Sequence, residues 1–163
     1  MLRMAMLVLT ALSVVSMAHA QGPATVHVSI GSALLSHADE LGRRDLDDLR
    51  HDLKDSVARA LQRAGGGLLQ PREVDLVIEE AKPNRPTAEQ LSRNASLSMR
   101  SLSIGGARIS GQVIDARGVA HPLSLSYYAT DLRDSRGAAT WTDADRAFEL
   151  VGQRIAQGQL PRK

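Results

Sequence analysis

The stretch that decides the fold runs from Asp45 to Glu79, DLDDLRHDLKDSVARALQRAGGGLLQPREVDLVIE. In its first part Leu46, Leu49, Leu53, Val57 and Leu61 recur every three or four residues, so they fall on one stripe of a helix spanning about Asp45 to Ala64. Gly65-Gly66-Gly67 ends that helix, because glycine adopts the left-handed C-terminal conformation without a side-chain clash. Past the glycines the period changes. Val74, Leu76 and Ile78 alternate with Glu73, Asp75 and Glu79, the two-residue repeat of a half-buried strand. Upstream, Val26, Val28 and Ile30 alternate with His27 and Ser29 in the same way. Strand, helix and strand in that order imply a right-handed crossover between parallel strands.

Downstream comes a long connection, residues 82–106, punctuated by Pro83 and Pro86. Thr87 to Leu91 has the composition of one or two helical turns, whereas the periodicity of SLSMRSLSI (Ser96–Ile104) settles nothing. Gly105-Gly106 is expected to be a turn or bulge. Ile109–Asp115 and Pro122–Thr130 are two further strands, joined as a hairpin through Ala116-Arg117-Gly118. Thr142, with Asp145 three residues later, has the form of a capping box. The helix it opens carries Ala144, Ala147, Phe148, Val151 and Ile155 on one side, and Gly158 stops it, leaving a frayed tail at Pro161-Arg162-Lys163.

Because every strand alternates, only one face of the sheet is covered; a sheet covered on both faces has continuous apolar strands. The expected fold is therefore α/β of the two-layer α+β sandwich type, in the order β-α-β-β-β-α. A mixed sheet of about four strands carries both helices on one face. The other face then bears His27, Ser29, Glu73, Asp75, Ser110, Gln112, Ser124, Ser126 and Tyr128. Such a face is either solvated or a partner or dimer surface.

The N-terminus has its own logic. Arg3 precedes an apolar run from Met4 to Met17, too short for the roughly 20 residues of a membrane-spanning helix. The run ends at Ala18-His19-Ala20, whose small first and third residues suit a signal peptidase. These features predict a cleavable signal peptide over residues 1–20, a single domain over 21–163 with no stable membrane span, and a periplasmic or secreted location. The formal charge of +2 falls by one when Arg3 is lost, which argues against nucleic acid as a partner. No cysteine is present, so disulfides, thiolate nucleophiles and a lipid-modified cleavage site are excluded. Lysines are only three, Lys54, Lys82 and Lys163, so arginine supplies most of the positive charge.

Chemistry-bearing patterns are sparse. His37 with Asp39 and Glu40 offers imidazole and carboxylate, but H-E-x-x-H is lacking and the histidines fall on separate elements. Asp45, Asp47, Asp48, Asp52 and Asp55 are interrupted by leucines at helical spacing, which suits a solvated helix face and not a calcium loop. Neither G-x-S-x-G, S-x-x-K nor a P-loop occurs. Glu73, Asp75 and Glu79 could supply an acid and a base, although four aromatic residues (Tyr127, Tyr128, Trp141, Phe148) offer little to hold a sugar. No catalytic, cofactor-binding or metal-binding residue is assigned, and no cofactor is expected. Long connections are often functional. Asn84, Arg85, Arg93, Arg100 and Arg108 either face an anionic partner or belong to a segment that covers a sheet edge. The candidate partner surface comprises Arg85, Arg93, Arg100, Ser110, Gln112, Ser124, Ser126 and Tyr128.

The element order together with NRPTAEQLSRNASLSMRSLSIGGA (Asn84–Ala107) resembles small exported proteobacterial proteins known as domains of unknown function. Element order alone is also similar to the TolB amino-terminal and curli-secretion (CsgG-like) α/β domains of envelope proteins. Many such domains sit in lipoproteins, and the missing cysteine is a departure from that pattern. The resemblance implies an envelope setting and carries over no site residues. The reading favoured by the sequence is a non-enzymatic envelope module that binds an envelope protein or a cell-wall partner. The sequence leaves two alternatives open: a hydrolase with its site near the long connection, and a small-ligand or metal binder.

Overall fold

The computed structural model describes residues 24–160. The expected signal peptide and the C-terminal tail lie outside these residues. Four strands pair in the order β1 (Thr25–Ile30), β2 (Glu73–Lys82), β3 (Gly106–Ile114) and β4 (Ala120–Tyr128). β1 runs parallel to β2, and β2, β3 and β4 are successively antiparallel. The crossover from β1 to β2 holds α1 (Ser32–Leu35), α2 (Ala38–Leu41) and the long α3 (Arg43–Arg63). α4 (Ala88–Arg93) lies in the β2–β3 connection, a 3-10 turn covers Leu132–Gly137, and α5 (Thr142–Ala156) is the last of the described elements. The α+β class, the mixed four-stranded sheet and the placement of both long helices on one face match the expectation.

Alternation dictates the core. Val26, Val74, Leu76, Ile78, Ala107, Ile109, Val113, Leu123 and Leu125 form the buried side of the sheet. Onto it pack Leu46, Leu49, Leu53, Val57 and Leu61 of α3 and Ala144, Ala147, Phe148, Val151 and Ile155 of α5. Phe148, Leu49 and Leu53 are completely buried. The two long helices also touch each other at a point of close approach. A methyl group at Gly152 would sit 2.9 Å from the Ser56 carbonyl oxygen and 3.0 Å from Ala60 Cβ. Glycine there, opposite Ser56 and Ala60, brings α5 close enough for both helices to reach the sheet. Trp141 ties their N-terminal ends together, its indole N–H donating to Asp45 Oδ1 at 2.8 Å.

Several local expectations change. The capping box at Thr142 does not form: Trp141 holds the N-cap position, and Thr142 Oγ1 instead accepts from the Ala139 amide at 2.8 Å. A complete capping box occurs at α4, where Thr87 and Gln90 satisfy each other's backbone amides. Gly105 and Gly106 are packing positions and not a turn. A side chain on Gly105 would collide with that of Asn84, and one on Gly106 with the Tyr127 carbonyl and the Tyr128 ring. The long connection bridges the ends of the adjacent inner strands β2 and β3. β2 also carries a bulge between Ile78 and Glu80, so Glu79 and Glu80 both turn toward the uncovered face.

Gly152→Val is expected to destabilise the fold by about 1–3 kcal/mol through overpacking, and Phe148→Ala by about 3–5 kcal/mol through the cavity it leaves. Urea denaturation followed by far-UV circular dichroism checks both. Wild-type stability in Gly152→Val would show that the helices do not meet there.

Candidate functional site

The face of the sheet opposite α3 and α5 is covered by no long helix among the described residues. Strand register builds it row by row. Ser110 on β3 stands opposite Ser124 on β4, and Gln112 stands opposite Pro122. At one end Arg108 faces Ser126, and Gly106 faces Tyr128. Ser110, Gln112, Ser124, Ser126 and Tyr128 of the expected partner surface therefore do come together. Ser124, Ser126 and Gln112 are exposed, whereas Ser110 and Tyr128 are half-buried.

The arginines expected with them do not join this face. The Arg85 guanidinium donates to three backbone carbonyls, those of Ala138, Met99 and Arg136, at 2.5, 2.6 and 2.8 Å. It clasps the long connection to the 3-10 turn. Arg93 is exposed on α4 and paired with Glu89 at 2.5 Å. Arg100 lies in a turn of the connection. Asn84 is completely buried, with its amide donating to Ser135 Oγ and Asp143 Oδ2 and its carbonyl accepting from the Asp143 amide at 3.0 Å. These two residues give the connection its fixed course. Only Arg108, which lies on β3, reaches the uncovered face.

The β2 side of the face is charged. Glu73, Asp75, Glu79 and Glu80 share it, and most have a neighbour that answers them. Glu80 receives Lys82 at 3.3 Å and Arg108 at 3.2 Å, while Ser110 donates to Glu79 and Gln112 to Asp75 at 3.1 Å. Burial pushes the Glu80 carboxyl up, but Lys82, the nearby Tyr128 hydroxyl and Arg108 outweigh it and hold that carboxyl below its ordinary range. The Tyr128 hydroxyl is pushed up to about 12 by burial first and then by the Glu80 charge. It lies beside Glu80 yet makes no hydrogen bond of good geometry. The Lys82 ammonium sits 5.4 Å from its ring centre.

Beyond this end of the face, at the carboxyl ends of the parallel strands, lies a cleft of about 390 Å³. Leu34, His37, Glu40, Glu79, Lys82 and Gln90 are among its lining residues. His37 Nδ1 and Gln90 Nε2 each approach the Glu40 carboxylate at 3.3 Å. Lys82 and Arg108 in its lining are taken up by Glu80, whereas Glu79 is held by the Ser110 hydroxyl and has no ion-pair partner among the described residues. His37, Asp39 and Glu40 do not converge as a ligand group, since Asp39 turns to Arg43 at 3.1 Å.

No protein-family model, curated protein or solved structure matches the chain. At the far end of the hairpin, Asp115 accepts from the amides of Arg117 and Val119, both at 2.9 Å, and from His121 at 3.2 Å. The Val119 amide, then the His121 and Arg117 contacts, hold its carboxyl down at about 2 against the opposing effect of burial. It is the residue that shapes the β3–β4 turn, a role that the Ala116-Arg117-Gly118 reading missed although an aspartate preceding a turn glycine is its usual signal.

On the helical side Asp145 is exposed at the surface of α5, yet desolvation by the groups around it first, and then the charges of Asp52 and Glu149, push its carboxyl up to about 6.

Asn84→Ala, which strands the Asp143 carboxylate and amide, is expected to cost about 1–3 kcal/mol in urea denaturation; Asn84→Asp, placing a second carboxylate there, costs more at neutral pH than at pH 4. The Asp145 value is raised, so its contribution to stability is greatest in acid and is lost as pH rises through about 6. Asp145→Asn should then raise the melting temperature at pH 8 relative to wild type, with a smaller or reversed difference at pH 4. Equal differences at both pH values would contradict the assignment.

Proposed function

We propose that this protein is an exported, periplasmic, non-enzymatic envelope module that binds another envelope protein through the uncovered face of its sheet. The observation that carries the reading is the row of short polar side chains, Ser110, Ser124 and Ser126 with Gln112, at the β3–β4 half of that face. Short side chains lose little rotamer freedom on contact. They present a level surface to a partner, and the β2 carboxylates alongside favour a partner whose rim is cationic. Export rests on Arg3, the apolar run to Met17 and Ala18-His19-Ala20.

Size sets the kind of complex. With strands about 4.8 Å apart and a rise near 3.4 Å per residue, the face offers roughly 500 Å². A patch of that projected size is small for a stable interface, which engages about 20–30 residues a side. The partner is expected to bind transiently, so covalent capture suits the test better than copurification.

A photo-crosslinking residue at Ser124 or Ser126, in cells carrying the full chain, is expected to yield a discrete higher-mass adduct. The same probe at Lys54 on the exposed side of α3 should yield none, and Ser126→Arg should abolish the adduct formed from position 124. Adducts of equal yield from both faces, no adduct from either serine, or a cytosolic chain retaining residues 1–20 would each overturn the reading.

A further inference from the structure

The uncovered face has a second end, where β1 and β2 begin, and there three side chains from two strands converge. His27 on β1 is the cross-strand neighbour of Asp75 on β2, and Glu73 stands two residues before Asp75 on the same face. One ligand atom from each, an imidazole nitrogen and two carboxylate oxygens, lies within 4.8 Å of both others. We propose that His27, Glu73 and Asp75 form a binding site for a first-row divalent cation of the zinc class.

Three observations support the assignment. The first is charge. Among the described residues the only basic side chain within 4 Å of either carboxylate is the His27 imidazole, 3.9 Å from Glu73. Two carboxylates thus share one imidazole and have no lysine or arginine partner, in contrast to Glu80, which has both. The second is reach. Ligands bonded at about 2.0–2.2 Å to a tetrahedral ion stand roughly 3.3–3.5 Å from one another. His27 and Glu73 have side chains 61% and 44% exposed, free to close the present 3.9 Å by small rotations. The third is orientation. Gln112 Nε2 donates to Asp75 Oδ2 at 3.1 Å from the neighbouring strand, holding the carboxylate as outer partners of metal ligands do.

The donor set also selects the ion. An imidazole nitrogen suits zinc and its neighbours, whereas calcium and magnesium take all-oxygen cages. Three protein ligands leave at least one coordination position open toward solvent, because no long helix covers this face. The proposal stands apart from the partner reading: cation binding is measured on the purified chain alone, and crosslinking could succeed or fail without affecting it.

Isothermal titration of the full chain with zinc chloride alone, at neutral pH, is the test. One saturable event of one-to-one stoichiometry is expected, retained in His37→Ala and lost in His27→Ala and in Asp75→Asn. Gln112→Ala, which removes only the orienting amide, should weaken it by about 10–100-fold. Circular dichroism is expected to show the wild-type spectrum for all four variants, since the altered side chains are exposed or half-buried at the surface. Should His27→Ala misfold, perturbation of the His27 ring resonances by zinc in the wild-type chain decides the matter. No saturable binding, undiminished binding in His27→Ala, unperturbed His27 resonances, or tighter binding of calcium chloride than of zinc would overturn the proposal.

Discussion

The close contact between α3 and α5 at Gly152 governs the rest of the architecture. Four strands spaced about 4.8 Å apart place the outer strand axes roughly 14 Å from each other, and two helices packed side by side at about 8–10 Å are wide enough to cover that span. With glycine facing Ser56 and Ala60, one pair of helices suffices to bury a whole side of the sheet. No third long helix remains among the described residues for the other side. The single-sided core and the polar face are thus two results of one packing decision.

A second constraint acts at the end of the sheet. The β2–β3 connection fully buries none of its large apolar residues and is ordered chiefly by polar anchors. Asn84 satisfies both the backbone amide and the carboxylate of Asp143, while Arg85 gathers three carbonyls. Buried groups of this kind are costly when half-satisfied, and here each is answered. Arginine suits its place because a planar guanidinium can point donors at several carbonyls at once. Residues that look like anion receptors in the linear chain are in this way occupied by the protein's own backbone.

The long helices, the four strands and the one-sided covering were legible because each rests on local periodicity. α1 and α2 were not, since four-residue helices are too short to display a period. The bulge in β2 left a trace: apolar positions run 74, 76, 78 and then 81, a change of phase from two to three. The Asn84–Asp143 pair was out of reach, as its members are 59 positions apart and nothing in the spacing joins them. The same applies to His27, Glu73 and Asp75. Each was visible as a residue of the polar face, but their convergence depends on the register of two strands separated by an entire helix. Serine and glutamine positions on β3 and β4 were read correctly because a hairpin brings its own register with it.

Parallel pairing of β1 with β2 has a consequence for the newly made chain. Of the four described strands β1 is made first, yet the one strand among them that it pairs with follows only after α1, α2 and α3. During that interval it is a lone extended segment with unsatisfied amides and carbonyls, the kind of surface that recruits wrong neighbours. The meander β2–β3–β4 closes through sequential antiparallel contacts and waits on no such delay. The four-stranded sheet is therefore complete only once the first-made of these strands takes its place at the margin, beside a β2 that is made three helices later.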